Sequence, residues 1–375
     1  MRIDDDTSGA DQMEVVLALG ADGVVLAGWI DYRSGTRCGF TVSRDGGETW
    51  EPSYLMEPLE SGFTGDPAVA VDSAGTLYIA CQNYEGNPNR ILFARSLDDG
   101  ETWTDTKEVQ VAIDKPWLAA GDDGTVYLTW LGGPGGFKRT TDGGDTWESV
   151  ISLGSLGHGT GISIGEGGIV HVAWNYNDAR VYYARSDDHG ATLSSPEDLG
   201  PMGMPCYGCD PRDHPIVSNA SDPTGETVAI AWSSTMPAGE SNDDVWAIIS
   251  KDGGETWSDT LRVSESESGT REFQPWVAVD ASGATHVVWT DARDNQNAVY
   301  HASAEDPADG FGTNTEVTDA TGPISGLFFY GDYKGIVIDG DDVLVAWADS
   351  RDGNTDIYFS RGVNMANRSR RVKRR

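Results

Sequence analysis

The clearest feature of the sequence is a short apolar run that recurs along the whole chain and ends near an aromatic residue. Such runs are too short for helices and show no helical period, so they are typical of buried strands. Most follow another apolar stretch and an Asp/Gly turn, as in residues 67–75 and 275–283. Seven runs end at Trp29, Cys81, Trp130, Trp174, Trp232, Trp289 and Trp347.

A second pattern, Ser-x-Asp-x-Gly-x-Thr-Trp, runs in phase with the first. It occurs at 43–50, 96–103 and 250–257, with variants at 140–147 and 186–193. The Ser and Asp side chains of such an Asp-box can accept backbone N–H groups in a tight hairpin, and glycine supplies a positive φ. The indole is expected to wedge between neighbouring sheets. Because the motif recurs, we predict a structural role for it and no catalysis.

The two patterns together predict an all-β chain, a seven-bladed β-propeller of four-stranded antiparallel blades with Asp-box hairpins. Residues 1–362 are predicted to form this single domain. Residues 363–375 are predicted to be a basic, disordered tail, because nothing apolar in its charged end can pack.

The net charge of −34 is extreme. It suits a protein that is kept soluble in concentrated salt, where screening weakens self-repulsion, although secretion by an ordinary organism is the alternative. The charge argues against nucleic acid as a partner, and no apolar run is long enough to span a bilayer. The acidic N-terminus is not a signal peptide as written. We expect an extracellular or cell-surface monomer.

The four cysteines are too few for a disulfide framework. Cys206 and Cys209 have a spacing shared by zinc sites and redox pairs, but a zinc site needs two more ligands and only Cys38 and Cys81, distant in sequence, remain. A local loop staple or two plain thiols is favoured. No cofactor is predicted. Asp-rich turns such as 122–124 leave structural calcium open, with solvated turns as the favoured interpretation.

Candidate functional residues lie on one face of the predicted ring, the top face. In a four-stranded blade, the lead into the inner strand and the loop after the Trp column share this face, and ligand sites are commonly built on such loops. Departures from the repeat indicate function there, whereas a merely solvated rim is the alternative. The leads supply Glu14, Asp66, Lys115, Gly159, His214, Gln274 and Lys334, and their neighbours are Asp114, His158, Arg212, Asp213, Arg271, Glu272, Asp332 and Tyr333.

Three loops after the Trp column read Trp-x-Asp-x-Arg: Asp31/Arg33, Asp291/Arg293 and Asp349/Arg351. They predict either an arginine cluster that clamps a carboxylate or local ion pairs that shape each loop, and the recurrence favours the pairs. Histidines at the channel mouth can act as general acid or base, or can cap a strand end. The charge around His214 favours function for it, and both interpretations stay open for His158.

The five Asp-box segments make nearly the whole chain resemble the sialidase superfamily, also called Asp-box or BNR-repeat proteins. Residues 19–50 look like the first blade of bacterial sialidases, and Tyr333 occupies a place like that of the sialidase tyrosine nucleophile. The resemblance implies a six-bladed ring as the alternative to seven blades. It also implies three arginines that hold a sugar carboxylate, a Tyr–Glu nucleophile pair and an Asp acid/base.

The sequence departs from that family at two catalytic positions. Residues 11–16 lack the Arg-Ile-Pro motif that opens the first sialidase blade, and Arg2 lies too early and lacks the proline. The acid expected shortly after Arg33 is absent from residues 34–39. Arg37, Arg90 and Arg180 each precede an Asp-box, as some sialidase arginines do. Seven-bladed Asp-box relatives include polysaccharide lyases that use His, Tyr and Arg.

The leading prediction is therefore a sialidase-like, glycan-directed enzyme, a glycoside hydrolase or polysaccharide lyase acting on acidic sugars at the top of the central channel. Tyr333 is predicted as nucleophile or base, Asp332 or Glu272 as its acidic partner, and His214 as acid/base. The predicted substrate-binding residues are Arg212, Arg271, Lys115, Asp66, His158, Arg33 and Lys334.

A non-catalytic glycan- or protein-binding propeller is the alternative class, and a degenerate sialidase relative is a third possibility. The binding propeller predicts exposed aromatic side chains on the top face, and no two catalytic-type groups within hydrogen-bond reach. The candidate aromatic residues are Tyr32, Tyr84, Tyr176 and Tyr207. A uniformly negative top face contradicts the enzyme prediction, because an anionic glycan needs a local cationic patch.

Overall fold

The repeated units fold into seven antiparallel sheets in a ring, so the predicted seven-bladed propeller is confirmed and the six-bladed alternative is wrong. The structure, a computed structural model, describes residues 1–85, 88–112, 114–132, 135–154, 157, 159–176, 180–203, 216–235, 243–265, 270–293, 296–322 and 330–363. Each blade runs outward in chain order from the central axis, because consecutive strands pair as antiparallel neighbours.

The strands of the first four blades have the following bounds. They are β1 Gln12–Leu19, β2 Val25–Asp31, β3 Arg37–Ser43 and β4 Tyr54–Met56; β5 Phe63–Val71, β6 Leu77–Tyr84, β7 Arg90–Ser96 and β8 Lys107–Val111; β9 Asp114–Ala120, β10 Val126–Leu131, β11 Gly135–Thr140 and β12 Ile151–Gly154; β13 Thr160–Gly165, β14 Ile169–Tyr176, β15 Arg180–Ser186 and β16 Glu197–Pro201.

The last three blades complete the ring. They comprise β17 Ser218–Ser221, β18 Val228–Ser234, β19 Asp244–Ser250 and β20 Leu261–Arg262; β21 Glu272–Val279, β22 Thr285–Asp291, β23 Ala298–Ala304 and β24 Thr315–Glu316; β25 Gly335–Asp339, β26 Asp342–Asp349 and β27 Asp356–Val363. Short 3₁₀ turns lie at Ala21–Gly23, Glu166–Gly168 and Pro307–Asp309.

The N-terminal residues supply the fourth strand of the seventh blade, a role that the sequence pattern did not predict. Ile3 N donates to Ile357 O over 2.8 Å, and Phe359 N donates to Met1 O over 2.8 Å. Arg2 pairs with Tyr358 in the same antiparallel register. The first and last parts of the chain therefore close the ring through backbone hydrogen bonds, which removes an exposed sheet edge.

The Asp-boxes form the hairpins that their composition predicts. In the first box, Asp45 accepts from the backbone N–H of Thr49 over 2.8 Å, and Ser43 Oγ accepts from Gly47 N over 2.8 Å. The box tryptophan packs on the preceding blade, as Trp50 does edge-on against Phe359 with ring centroids 5.2 Å apart. These contacts join neighbouring blades at their outer edges, consistent with a structural role.

The seven inner strands surround a central channel that contains a cavity of about 410 Å³. Most of the residues that line it are apolar, as at Val69, Leu118 and Ile336. Large aromatic side chains, among them Trp117 and Trp276, also contribute to the wall. The titratable side chains lie at the top of the channel, where the inner strands begin.

Cys38 and Cys81, which the sequence interpretation treated as distant, form a disulfide. Cys38 lies on β3 of the first blade and Cys81 on β6 of the second, with Cα atoms 6.5 Å apart. The two residues meet because adjacent blades pack face to face, which brings strands 43 positions apart in sequence into contact. Cys206 and Cys209 lie outside the described residues.

Replacing both Cys38 and Cys81 by alanine is expected to lower the free energy of unfolding by about 4 kcal/mol, because the crosslink restricts a long loop of the unfolded chain. Chemical denaturation of the double variant, compared with the wild type under oxidising conditions, measures the loss. Adding a reductant to the denatured wild type should reproduce it. Equal midpoints for wild type and double variant would contradict the crosslink.

Candidate functional site

Four inner strands begin with a β-bulge whose central residue has a positive φ. These residues are Glu14 (58°), Asp66 (51°), Lys115 (46°) and Gln274 (53°). The strand register shifts at each of them. A left-handed conformation is unfavourable for such side chains, and bulges that redirect a side chain concentrate near functional sites. The bulges lie at the channel mouth on the top face.

The centre of this mouth is a buried group that we name the channel cluster: Glu14, Asp66, Tyr84, Asp114, Lys115, Asp332 and Tyr333. Lys115 is its cation. Lys115 Nζ lies 2.5 Å from Asp332 Oδ2 and 3.7 Å from Asp66 Oδ1. The lysine pKa is raised: burial lowers it, but the surrounding carboxylates outweigh burial. Lys115 is therefore charged and partly neutralises the carboxylates around it.

Two tyrosines of the cluster donate hydrogen bonds to the same carboxylate. Tyr333 OH lies 3.4 Å from Asp66 Oδ1, and Tyr84 OH donates to Asp66 Oδ2. Tyr84 OH also lies 3.0 Å from Asp114 Oδ1. Burial raises the pKa of Tyr333 well above its usual range, and the charges of Glu14 and Asp66 add to this effect. The phenol is therefore neutral and needs a neighbouring base before it can act as a nucleophile.

The carboxyl groups of the cluster differ in their affinity for protons. Burial raises the pKa of Glu14 well above its usual range, helped by the charge of Asp66. Burial and the charge of Asp66 raise the pKa of Asp114 to about 6. Glu14 and Asp114 therefore both hold a proton at higher pH than an exposed carboxyl group does, and a carboxyl group with a pKa near 6 can serve as a proton donor.

Lys334 and Gln274 form a second polar contact on the blade-seven side of the mouth. Lys334 Nζ donates to Gln274 Oε1 over 3.1 Å, and burial lowers the pKa of Lys334 to about 7. The backbone at Gly331 lies so close to Glu14 that a Cβ atom at position 331 would overlap the backbone and side chain of Glu14. Glycine at 331 therefore lets the segment with Asp332 and Tyr333 pack against the first blade.

Aromatic rings close the cluster from below. Trp117 lies edge-on to Tyr333 with ring centroids 5.3 Å apart, and Trp276 lies 5.8 Å from the same ring. The two indoles are 5.1 Å from each other. This layer separates the charged groups from the apolar channel and provides the low-polarity surroundings that shift their pKa values.

The arginines that follow the Trp column form local ion pairs. Arg33 Nη2 lies 2.7 Å from Asp31 Oδ2 and its Nη1 lies 2.5 Å from Asp5 Oδ1. Arg293 and Arg351 make the same fork with Asp291 and Asp349, at 2.6 and 2.8 Å. Arg33, one of the three arginines predicted to bind substrate, is thus held by two carboxylates, in agreement with the local-pair interpretation.

The other candidate arginines also pair with carboxylates. Arg37 Nε lies 2.8 Å from Glu57, Arg90 Nη1 lies 3.4 Å from Glu108, and Arg180 Nε lies 2.6 Å from Asp198. Arg2 lies in the strand that closes the ring and pairs with Asp4 and Asp356. None of these four occupies the position at the start of β1, where the structure places Glu14.

Five of the predicted site residues meet at the channel mouth: Asp66, Lys115, Asp332, Tyr333 and Lys334. The predicted partner of Tyr333 was Asp332 or Glu272, but the hydroxyl donates to Asp66, because the bulge aims Asp66 across the first blade. Glu272 is buried at the start of β21, opposite Asp291. The guanidinium of Arg271 lies 4.9 Å from the Phe273 ring centroid. His158, Arg212 and His214 lie outside the described residues.

Sequence reasoning named Glu14, Tyr84 and Asp114 but gave them no role in the cluster. The sequence does contain a signal for three of the bulges: Asp66, Lys115 and Gln274 each precede a proline at the start of an inner strand. Proline removes a backbone donor, and within a sheet it is confined to edge strands, to the first residue of a strand or to bulges. His214 also precedes a proline.

The described residues contain no group of three or more His, Cys, Asp or Glu side chains that could hold a metal ion. In the same part of the chain, no helix is long and apolar enough to cross a membrane.

Comparison with known proteins supports the repeat assignment. A family model described as the BNR/Asp-box repeat matches residues 41–52 and 248–259. Comparison with curated protein sequences finds no match.

Solved structures with this fold include several carbohydrate-active enzymes. The NanB sialidase from Streptococcus pneumoniae is similar with a TM-score of 0.57 at 11% identity, over 77% of this chain and 66% of that chain. An α-L-arabinofuranosidase, Arb93A from Fusarium graminearum, has a TM-score of 0.56 at 13% identity over 97% of both chains. An ulvan lyase of a polysaccharide lyase family has a TM-score of 0.61 at 13% identity over 95% of both chains.

The chain spans 63 to 66% of the length of the sialidases that it matches, and all these identities are low enough that the likeness shows the fold alone. The matched BNR repeats and the seven-bladed ring both agree with the resemblance of the Asp-box segments to the sialidase superfamily. The chain is therefore a BNR/Asp-box repeat propeller, consistent with a propeller of the sialidase superfamily.

Proposed function

We propose that this chain is a glycan-active enzyme, a glycoside hydrolase whose reaction takes place at the channel cluster. The observation that carries the proposal is the pairing of the Tyr333 hydroxyl with Asp66 beside a carboxyl group, Asp114, whose pKa lies at about 6. A nucleophile with a base and a separate proton donor are the groups that glycoside hydrolysis requires. The fold neighbours, which include glycosidases and a lyase, support the same class.

Each residue of the cluster has a distinct role in this proposal. Tyr333 Oη attacks the sugar carbon while Asp66 accepts the phenol proton, and Asp114 gives its proton to the departing oxygen. The ammonium group of Lys115, 3.7 Å from Asp66 Oδ1, offsets part of the negative charge of the cluster. Burial raises the pKa of Glu14, which favours its neutral form and limits the negative charge that the cluster has to hold. Water then attacks the sugar carbon and loses a proton to Asp114, while the bond to Tyr333 breaks and Asp66 returns its proton to the Tyr333 oxygen.

The pairing within the cluster favours an enzyme over a non-catalytic binding propeller. The binding alternative predicts no two catalytic-type groups within hydrogen-bond reach, but Tyr333 and Tyr84 both donate to Asp66. Lys115 adds a positive charge to the carboxylates of the cluster, and burial lowers the pKa of Lys334 to about 7. Tyr32 and Tyr176 are exposed, as the alternative predicts, so a glycan-binding role can accompany catalysis.

The pH dependence of the reaction should report Asp114. Because the acid form donates the proton, we expect kcat/KM to fall as pH rises through about 6. The pKa of Asp114 is raised in the folded state, so its contribution to stability is fully present below the unfolded value and is lost as pH rises through about 6. Asp114→Asn should lower kcat/KM and abolish its decrease with rising pH, which is the alkaline limb of the pH–rate profile.

Asp198→Asn provides the matched control for this profile. Asp198 pairs with Arg180 on the outer part of the fourth blade, so its removal should leave the limb in place. An unchanged limb in Asp114→Asn would contradict the assignment of the proton donor.

A polysaccharide lyase is the second candidate, because the ulvan lyase matches nearly all of both chains with a TM-score of 0.61. In a lyase, a cation neutralises a uronate carboxylate and a base removes the adjacent proton. Lys115 is already paired with Asp332, and the pKa of Tyr333 is raised, which makes the phenol a poor base without Asp66. The described residues therefore favour hydrolysis.

We infer an extracellular location for this activity. The Cys38–Cys81 disulfide persists in oxidising surroundings, and the net charge of −34 suits a salt-rich exterior. The substrate class is a carbohydrate.

A turnover screen in high salt tests the proposed function. The purified chain is incubated with a sialoside, an arabinan and several acidic polysaccharides including ulvan, and the products are read by mass spectrometry. Saturated fragments support the hydrolase proposal, whereas unsaturated uronates would show that the chain is a lyase instead. If no substrate gives a product, the proposal of an enzyme is wrong and a binding propeller is the interpretation that stays.

A further inference from the structure

An exposed phenylalanine stands next to the channel cluster, at the start of the second blade's inner strand. The Phe63 side chain is 44% exposed, whereas the other large apolar side chains of the described inner strands are buried or half-buried. One face of its ring stacks on Tyr84, with centroids 4.8 Å apart and planes 19° apart. The hydroxyl of the same Tyr84 contacts Asp66 and Asp114. The exposed ring is therefore continuous with the cluster.

The loop that presents Phe63 is held in place by hydrogen bonds. The buried Asn83 accepts from Leu59 N over 3.2 Å and donates to the carbonyl oxygens of Ser61 and Phe63 over 3.3 and 3.4 Å. Gly62 has a φ of 89°, and a Cβ atom there would overlap the carbonyl oxygen of Tyr84. A fixed backbone thus displays the ring to solvent on the top face.

We propose that Phe63 is the stacking platform of a sugar-binding subsite beside the channel cluster. This inference rests on the proposed function and names a determinant of its specificity. Carbohydrate sites combine aromatic surface with a few placed polar groups, and Phe63 supplies the surface next to the polar groups of the cluster. Leu59, 40% exposed in the same loop, extends the apolar area.

Stacking also suits the charge of this protein. The C–H face of a sugar ring is uncharged, so contact with Phe63 does not oppose the negative field of the chain. A glycan that stacks on Phe63 and reacts at Tyr333 has to extend past Tyr84 and Asp66, which link the two residues. The subsite therefore selects oligosaccharides over single glycosides.

Binding can be measured without turnover in a Tyr333→Phe background. Isothermal titration calorimetry with sialyllactose, arabinohexaose and ulvan oligosaccharides gives the affinity of three proteins in this background: the parent with Phe63, the Phe63→Ala variant and the Phe63→Trp variant. We expect Phe63→Ala to weaken binding of the best oligosaccharide by on the order of tenfold and Phe63→Trp to retain it. Leu97→Ala is the matched control, since Leu97 is 73% exposed in an Asp-box turn on the opposite face.

The outcomes separate this inference from the proposed function. Loss of affinity in Phe63→Ala alone supports the subsite, even if the wild type cleaves nothing. Equal affinities for Phe63→Ala and Leu97→Ala, or no binding of any probe to the parent, would overturn the subsite. If the wild type cleaves a glycan with the same KM as Phe63→Ala, the enzyme stands and the subsite does not.

Discussion

Replacing Tyr333 by phenylalanine is expected to lower kcat/KM on the active glycan by at least about 100-fold. The change removes one oxygen atom, the one that lies 3.4 Å from Asp66. The ring stays in contact with Trp117 and Trp276, so the packing of the channel mouth is preserved. We therefore expect the free energy of unfolding to change by only about 1 kcal/mol, as for a single hydrogen bond.

Steady-state kinetics and chemical denaturation of the same preparation separate these two effects. Tyr78→Phe is the matched control, because it removes a buried hydroxyl that donates to Asp72 over 2.8 Å, outside the cluster. Its kcat should equal that of the wild type. A Tyr333→Phe variant that turns over at the wild-type rate would exclude the phenol as a reacting group.

Replacing Lys115 by methionine is expected to cause the largest loss of stability, about 3–5 kcal/mol. The change removes the cation that lies 2.5 Å from Asp332 and 3.7 Å from Asp66, and leaves both carboxylates buried without it. Buried charges that lose their partner are far more costly than exposed ones.

The double variant Lys115→Met/Asp332→Asn tests the cause of this loss. It removes one of the two carboxylates together with the cation, so denaturation should show part of the stability restored relative to Lys115→Met. Arg180→Met, which breaks an exposed pair with Asp198, is the control and should change little. A Lys115→Met variant as stable as the wild type, or a double variant that is less stable than the single one, would contradict a charge-driven loss.

The ring and much of the channel mouth could be predicted from the sequence. The column that includes Trp29 and Trp347 marks each second strand, so counting its members predicts the number of blades. Alignment on the inner-strand turns placed Asp66, Lys115 and Lys334 at one height in the ring, and the structure brings them to one mouth. These features are local and repeat along the chain, which is why a one-dimensional pattern contains them.

The partners within the site could not be predicted, because they depend on distances between blades. Tyr333 precedes the seventh blade, and its acceptor Asp66 begins the second, with Glu14 of the first blade between them. The Cys38–Cys81 bridge likewise joins adjacent blades. The raised pKa of Glu14 follows from burial and from its charged neighbours, neither of which a spacing reveals.

The most direct test of the central claim is incubation of the wild type with the glycan panel in ¹⁸O-labelled water, followed by mass spectrometry of the products. Hydrolysis at the channel cluster predicts saturated fragments that carry one solvent oxygen and that are lost with Tyr333→Phe. No fragments from any glycan, unsaturated fragments without label, or equal yields from Tyr333→Phe would contradict it.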